Sequence, residues 1–193
     1  MDIGALKTVM LQLGLIMDNE CSDNTPIRWA KAMNHYVQPY EPKKDLSKAF
    51  NEPSSGITSA HGDYAHSLVI QTNIPYRALC AHHLLPVLGI AHVGYVPKDK
   101  VVGLSKLARL VYGISHRAPS LQEHVGIAIA EALMEHLGCM GSMCIINAEH
   151  ACMACRGIEE PGVQTVTSCI RGIFTKRDSL RSEFLQIVQM NTE

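Results

Sequence analysis

Residues 87–96 read VLGIAHVGYV, and this stretch decides the fold because it marks a strand near the middle of the chain. It is rich in β-branched residues and its side chains alternate in part, as they do in a half-buried strand. The turn residues Pro97-Lys98-Asp99-Lys100 follow it, and a second β-branched run, Ser67–Ile74, precedes it. These two runs predict a pair of strands.

Helical and further extended segments follow this strand pair. The predicted helices are residues 104–114, 121–137 and 178–189, and the predicted strands are residues 143–149 and 163–174. The breaker Ala118-Pro119-Ser120 separates the first two helices. The order strand, strand, helix, helix, strand, strand predicts an α+β fold, in which helices cover one face of an antiparallel sheet.

The N-terminal part of the chain predicts two more helices and a linker. Apolar residues recur at helical spacing from Ile3 to Met17, and Asp23-Asn24-Thr25-Pro26 is a typical start of a second helix. Residues 39–63 are rich in Pro, Ser, Gly and charge and have no sustained period. We therefore predict a helical extension over residues 1–38, a linker over 39–63 and a core domain over 64–193.

Composition excludes several classes of protein. The 193 residues carry a net charge of -1 and are 47% hydrophobic, which fits a globular protein without a general attraction to nucleic acid or membranes. No window offers about 18 uncharged apolar residues, so no membrane span is expected. The N-terminus has Asp2 where a signal peptide would be basic. The seven cysteines are an odd number in a chain too large to need a disulfide framework, which indicates a reducing compartment. We expect a cytoplasmic protein.

Two short stretches concentrate metal ligands. Cys80 and His83 are three residues apart after a predicted strand, where a turn can direct both at one ion. In the second stretch, His150 and Cys152 share a face if the segment is extended. Cys80, His83 and Cys152 would give zinc three ligands and leave its fourth position open, as in catalytic sites.

Two other uses of these cysteines remain open. A closed structural zinc site would take Cys155 as a fourth ligand, although an extended segment puts Cys155 on the face opposite Cys152. A redox pair of Cys152 and Cys155 is the other alternative, but the context typical of such pairs is missing.

A second group of residues suits a nucleotide. Ser105, Lys106 and Arg109 lie in the first turns of a predicted helix, where the helix dipole and the cations together favour an anion such as phosphate. Arg156 would add a cation on the face of Cys152. Glu123, preceded by Gln122, is either an ordinary first-turn acid or a carboxylate that accepts paired hydrogen bonds from a guanine edge.

In order and spacing, these motifs resemble the GTP cyclohydrolase I family over most of the chain. The motifs are Thr25–Lys31 (TPIRWAK), Cys80–Pro86 (CAHHLLP), Gly103–Arg109 (GLSKLAR), Gln122-Glu123, His150–Met153 (HACM), Arg156-Gly157 and Thr165–Ser168 (TVTS). The resemblance implies the tunnelling fold, in which such units join around a barrel, usually as a homodecamer with active sites between subunits.

The resemblance also implies roles. Zinc would be bound by Cys80, His83 and Cys152, and the guanine by Gln122 and Glu123. The ribose and triphosphate of GTP would be bound by Ser105, Lys106, Arg109 and Arg156, together with Arg28 and Lys31 from a neighbouring chain. The implied reaction opens the guanine imidazole ring, releases formate and forms 7,8-dihydroneopterin triphosphate. Proton transfer falls to His82 and His150, because imidazole titrates near neutrality.

The chain departs from the family at three places. Ala81 and Asn147 stand where the family commonly has acidic residues, and Ser115–Leu121 is one residue longer than the common pattern. A relative that acts on dGTP or another purine nucleotide is therefore the alternative. A pterin synthase or a nitrile reductase of the same fold fits the mixed cysteine and histidine set less well.

Overall fold

The computed structural model describes residues 2–16, 19–20, 22–51 and 67–191. Its helices are α1 (Ile3–Gln12), α2 (Thr25–His35), α3 (Pro42–Leu46), α4 (Ser105–Ser115), α5 (Gln122–Ala132), α6 (Ala151–Ala154) and α7 (Asp178–Met190). Its strands are β1 (Ala49–Asn51), β2 (Val69–Leu79), β3 (Pro86–Val96), β4 (Lys100–Val102), β5 (Gly141–His150) and β6 (Gln164–Gly172). A π-helical turn, Leu133–Leu137, continues α5, and a 3-10 turn, Ile173–Thr175, precedes α7.

Four long strands form one antiparallel sheet in the order β2-β3-β5-β6. The predicted order of two strands, two helices and two strands is confirmed, because α4 and α5 lie between β3 and β5 in the chain. Strand β2 continues past the predicted end at Ile74 to Leu79. It does so through an irregular step between Gln71 and Ile74, where Asn73 has a φ of 54°. Pro75 is tolerated there because the described part of β2 pairs with β3 alone, as an edge strand does.

The two faces of the sheet bury different side chains. On β5, Cys144 and Ile146 belong to the main core under α4 and α5, whereas Met143 and Ile145 belong to a second cluster with Phe184 of α7. Successive strand residues point to opposite faces, so α7 packs on the face away from α4 and α5. The prediction of helices on one face is therefore correct for α4 and α5 and wrong for α7. The aromatic residue of α7 fits because Gly94 has no Cβ, which would lie 2.7 Å from the Phe184 ring.

The segment predicted as a linker contains regular structure where the structure describes it. Residues 39–51 include α3 and β1, and β1 pairs with β4. Elements of five and three residues are too short to show a period, but Leu46 of α3 is fully buried in the main core. Residues 52–63 of the predicted linker lie outside the described residues, as does Cys21. The division into 1–38, 39–63 and 64–193 stays a prediction.

Over the same described ranges, none of the helices combines the length and the apolar character that crossing a membrane requires.

Candidate metal and nucleotide site

Cys80 lies at the turn that joins β2 to β3. The Cys80 N–H donates to the Leu85 carbonyl at 3.0 Å, and the Cys80 carbonyl accepts from the Leu84 N–H at 2.9 Å. Ser120, in the connection between α4 and α5, donates its N–H to Leu79 and accepts from the Ala81 N–H. Backbone contacts on both sides therefore fix the position of Cys80 at one end of the sheet.

Cys152 reaches the same end of the sheet from β5. Leu79 pairs with Pro86 and the next residue of β3, Val87, pairs with His150, so the end of β5 adjoins the Cys80 turn. The prediction that the chain stays extended through Cys152 is wrong, because α6 begins at Ala151 and His150 is its N-cap residue. The helical turn nevertheless brings the Cys152 Sγ within 4.0 Å of the Cys80 Sγ.

Cys80, Cys152 and His150 form one cluster of metal-type ligands. Their ligand atoms all lie within 4.8 Å of one another. Burial and the neighbouring Cys80 sulfur raise the pKa of the Cys152 thiol, while Arg156 lowers it. A cation between the two sulfurs would favour the thiolate forms, which are the forms that bind metals.

His150 is oriented by Gln122. The two N–H groups of the buried Gln122 amide are shared among three acceptors, the carbonyls of Ile146 and Thr165 and the Thr167 hydroxyl, at 3.1, 2.9 and 3.1 Å. Its oxygen therefore faces His150 Nε2 at 2.9 Å and accepts a hydrogen bond from it. Burial lowers the pKa of His150, although Glu123 acts in the opposite direction. A neutral ring with its proton on Nε2 leaves the Nδ1 lone pair free for a proton or a metal.

The paired histidines of the Cys80 turn are exposed. His82 Nδ1 lies 3.9 Å from the Cys80 Sγ, and the His82 and His83 rings meet edge to face at 6.1 Å. His83 lies outside the cluster of Cys80, His150 and Cys152. The structure thus brings two of the three predicted ligands together, and it places His150, predicted to transfer protons, beside them. Cys155 is exposed at the end of α6 and is likewise outside the cluster.

Glu123 lines a cavity of about 410 Å³ between α5 and β6. Thr167 and Ser168 of β6 line the same cavity, and Gln122 beside Glu123 connects it to His150. The volume is within the range of small-ligand pockets, about 300–1,000 Å³. The cavity is therefore large enough for a small ligand beside the Glu123 carboxylate.

The predicted phosphate ligands of α4 are partly engaged within the chain. Lys106 Nζ lies 3.2 Å from Asp45 Oδ1, and Arg109 lies 3.8 Å from the same oxygen. Ser105 is exposed at the start of the helix. The sequence did not single out Asp45, because it lies in the segment predicted as a linker; the charged run Glu41–Asp45 was its only signal.

The remaining predicted cations lie on the surface. Arg156 is exposed after α6 and close enough to Cys152 to influence its pKa. This proximity was predicted from strand geometry, but a helical turn produces it. Arg28 and Lys31 are exposed on α2.

The fold and the site together define a class of protein: an α+β protein with a cysteine and histidine cluster at one end of an antiparallel sheet. Comparison with known proteins makes this specific, since the family described as GTP cyclohydrolase I matches residues 3–189. The chain belongs to the GTP cyclohydrolase I family.

Three relatives show how far the similarity extends. The GTP cyclohydrolase 1 of Listeria monocytogenes is 39% identical over 188 residues, covering 97% of this chain and 94% of the relative. The protein of the same name from Dictyostelium discoideum is 39% identical over 190 residues, covering 97% of this chain and 77% of the relative. The one from Dehalococcoides mccartyi is 36% identical over 188 residues, covering 96% and 94%.

Proposed function

We propose that the protein is a GTP cyclohydrolase I, which hydrolyses the imidazole ring of the guanine in GTP, releases formate and forms 7,8-dihydroneopterin triphosphate. The observation that carries the proposal is the pair of sulfurs of Cys80 and Cys152, 4.0 Å apart, beside an oriented imidazole. The match of the family over residues 3–189 supports the same activity.

Zinc fits the donor set. Two sulfurs about 2.3 Å from a tetrahedral zinc ion lie about 3.8 Å apart, close to the 4.0 Å between Cys80 and Cys152. We assign the metal to Cys80, His83 and Cys152, so that one position stays open. When bound, zinc supplies Lewis-acid activation of the water that attacks C8 of the guanine.

The identity of the third ligand has a direct test, because two imidazoles compete for it. His83→Ala should lower the zinc content of the purified protein, whereas His150→Ala should retain zinc and lose turnover. Metal analysis of both variants checks this. Zinc loss in His150→Ala with full zinc in His83→Ala would make His150 the ligand, in agreement with its place beside the thiols.

The chain's own residues then move protons and hold the base. His150 has a free Nδ1 lone pair because Gln122 accepts from its Nε2, so it can take a proton near the reacting ring. His82, 3.9 Å from Cys80, is the second proton-transfer group. Glu123 accepts from the guanine N1–H and 2-amino group in the cavity beside β6, and Gln122 acts by fixing His150.

Ser105, Lys106, Arg109 and Arg156 bind the ribose and triphosphate in this proposal. Charge-assisted bonds from guanidinium and ammonium groups are the usual way of holding phosphate oxygens. The resemblance to the family implies that Arg28 and Lys31 come from a neighbouring subunit, and both residues lie exposed on α2. The free thiols of the described cysteines suit a cytoplasmic location.

The proposed assembly is the tunnelling-fold homodecamer. Strands β2 and β6 are the two edge strands of the four-stranded sheet, so each can pair with a strand of another subunit. Light scattering should give a mass near ten times the 21.2 kDa of one chain. A monomeric mass would contradict both the barrel and the shared active sites.

The activity itself is tested by incubating metal-loaded protein with GTP, oxidising the products and detecting a fluorescent pterin, with formate measured in parallel. Pterin and formate should appear in equal amounts, and the His82→Ala variant should form neither. If only dGTP or another purine nucleotide is turned over, the alternative substrate is correct. Absence of both products from all of these nucleotides would refute the enzymatic proposal.

A further inference from the structure

A carboxylate lies among the cations that the proposed function assigns to the triphosphate. Asp45 Oδ1 is 3.2 Å from Lys106 Nζ and 3.8 Å from an Arg109 terminal nitrogen. The Asp45 and Lys106 side chains are only 15% and 13% exposed, whereas Arg109 is 62% exposed. The pair of Asp45 and Lys106 is thus screened from solvent, and Arg109 faces outward.

Residues on both sides of Asp45, in and just before α3, hold this carboxylate in place. The Tyr40 hydroxyl donates to Asp45 Oδ2 at 3.3 Å. The Tyr40 ring packs so closely on α4 that a Cβ added at Gly113 would lie 2.3 Å from it. On the other side of Asp45, Leu46 is fully buried. Because residues on both sides are anchored, the backbone at Asp45 cannot move away from Lys106 without disturbing the core, and the hydrogen bonds from Tyr40 and Lys106 hold the carboxylate itself.

A fixed negative charge at this place acts in two ways. It holds the Lys106 ammonium, which uses one of its three donors and keeps the others for a ligand. It also repels any anion that approaches Lys106 and Arg109, and this repulsion is weakly screened because the pair is largely buried.

We propose that Asp45 is a built-in counter-charge that weakens triphosphate binding at Lys106 and Arg109 while it keeps Lys106 in position. This inference rests on the proposed function, which places the triphosphate at these two cations. It makes Asp45 an affinity-setting residue, from a part of the chain without any other assigned role in the site. Because Asp45 weakens binding of the triphosphate group, it also speeds release of a product that keeps this group.

Asp45→Asn separates the two effects of the carboxylate. Asparagine keeps the shape of the side chain and an oxygen that can accept from Lys106, but it removes the charge. The inference predicts tighter binding. If Asp45 served only to position Lys106, the substitution would leave binding unchanged or weaken it.

The experiment uses the full, metal-loaded protein and measures the Kd of inorganic triphosphate by calorimetry and the KM and kcat for GTP. Asp45→Asn should lower both Kd and KM by about three- to tenfold, the effect of removing one partly screened charge. The gain should shrink between about 0.05 M and about 0.2 M salt.

Asp178→Asn is the matched control. It removes a carboxylate that pairs with Arg181 on α7, an element that the proposed site does not use, so Kd and KM should equal those of the wild-type protein. Asp45→Ser gives a second charge-removing variant if Asp45→Asn folds poorly, and the rise in Tm on adding triphosphate should be larger in either variant than in the wild type.

Unchanged or weaker triphosphate binding in the Asp45 variants would overturn the inference. Lys106→Ala separates this failure from that of the proposed function. If Lys106→Ala loses triphosphate binding while Asp45→Asn leaves it unchanged, the phosphate site stands and the role of Asp45 falls. If Lys106→Ala binds like the wild type, the phosphate site itself is wrong, and the inference falls with it.

Discussion

Gln122 is the residue that connects the candidate site to the sheet. Its amide nitrogen donates from α5 to the backbone carbonyls of β5 and β6, and its amide oxygen accepts a hydrogen bond from His150. The residue is 3% exposed, so if its side chain were removed, its partners would lie away from the water that could otherwise replace its hydrogen bonds. One side chain therefore supports both the fold and the orientation of an imidazole in the site.

Gln122→Ala should lower the free energy of unfolding by about 1–3 kcal/mol, because it removes the hydrogen bonds of a buried amide to β5, β6 and His150. It should also reduce turnover, since the His150 ring loses its orienting partner. Urea denaturation and the GTP assay measure the two effects. Gln186→Ala on the exposed face of α7 is the control and should change neither. A fully active Gln122→Ala protein would mean that His150 needs no orientation by this amide.

Some residues of the site were predictable and others were not. Cys80 and Cys152 were predicted to lie together from the spacing of metal-type ligands, and they do, although Cys152 reaches Cys80 on a helical turn and not on an extended segment. The cluster has His150 where the sequence predicted His83, a difference set by side-chain directions in a tight turn and in α6. Asp45 was missed because its contact with Lys106 is distant in sequence, and the charged run Glu41–Asp45 alone does not indicate such a contact.

Among the elements, length decided what the sequence could predict. Helices α4, α5 and α7 have eleven or more residues, and their predicted ends agree with the structure within one residue, apart from the π-helical continuation of α5. Elements α3, β1 and β4 have five residues or fewer and exist through tertiary contacts. For α3, these contacts are the buried Leu46 and the packing of Tyr40 at Gly113.

The contact of Tyr40 with α4 gives a prediction for the stability of α3. Gly113→Ala should destabilise the protein by about 1–3 kcal/mol, because the added Cβ would lie 2.3 Å from the Tyr40 ring and force Tyr40 out of place. Gly126→Ala on α5 is the matched control, since the nearest atom to its added Cβ is 3.8 Å away. That change should stabilise the helix by about 0.5–1 kcal/mol.

Thermal or urea unfolding measures the change in stability of both glycine variants, which should be a loss for Gly113→Ala and a gain for Gly126→Ala. If Gly113→Ala were as stable as the wild type, Tyr40 and the start of α3 would move freely on α4. Asp45 would then not be held against Lys106 by its neighbours.

At the scale of the whole molecule, two buried histidines connect stability to pH. His92 is 2% exposed on β3, and its Nδ1 accepts from the Asn73 N–H at 3.4 Å. His116 is 1% exposed, and its ring stacks on Tyr112 with centroids 4.1 Å apart. Burial lowers the pKa of both rings below the usual 6.5.

Each ring resists protonation for a structural reason. Protonating His92 Nδ1 would replace an accepted hydrogen bond by a clash of two donors. In His116, Nδ1 faces the Tyr112 carbonyl at 3.0 Å, and Nε2 is buried without a partner among the described residues, so a proton there would be unpaired. His35 and Arg77 lie near His116 and lower its pKa further, whereas the Tyr112 carbonyl raises it.

The free energy of unfolding should therefore fall as the pH drops through about 6.5, because the unfolded chain then binds protons that the folded chain does not. Above that pH both states are neutral at these histidines and the effect vanishes. Each histidine contributes up to about 1.4 kcal/mol per pH unit. Urea unfolding between about pH 7.5 and about pH 5.5, at constant zinc, should show a shallower slope in His92→Gln and His116→Gln. The exposed His124→Gln variant should keep the wild-type slope, and equal slopes in all four proteins would show that the two buried rings take up protons as readily when folded as when unfolded.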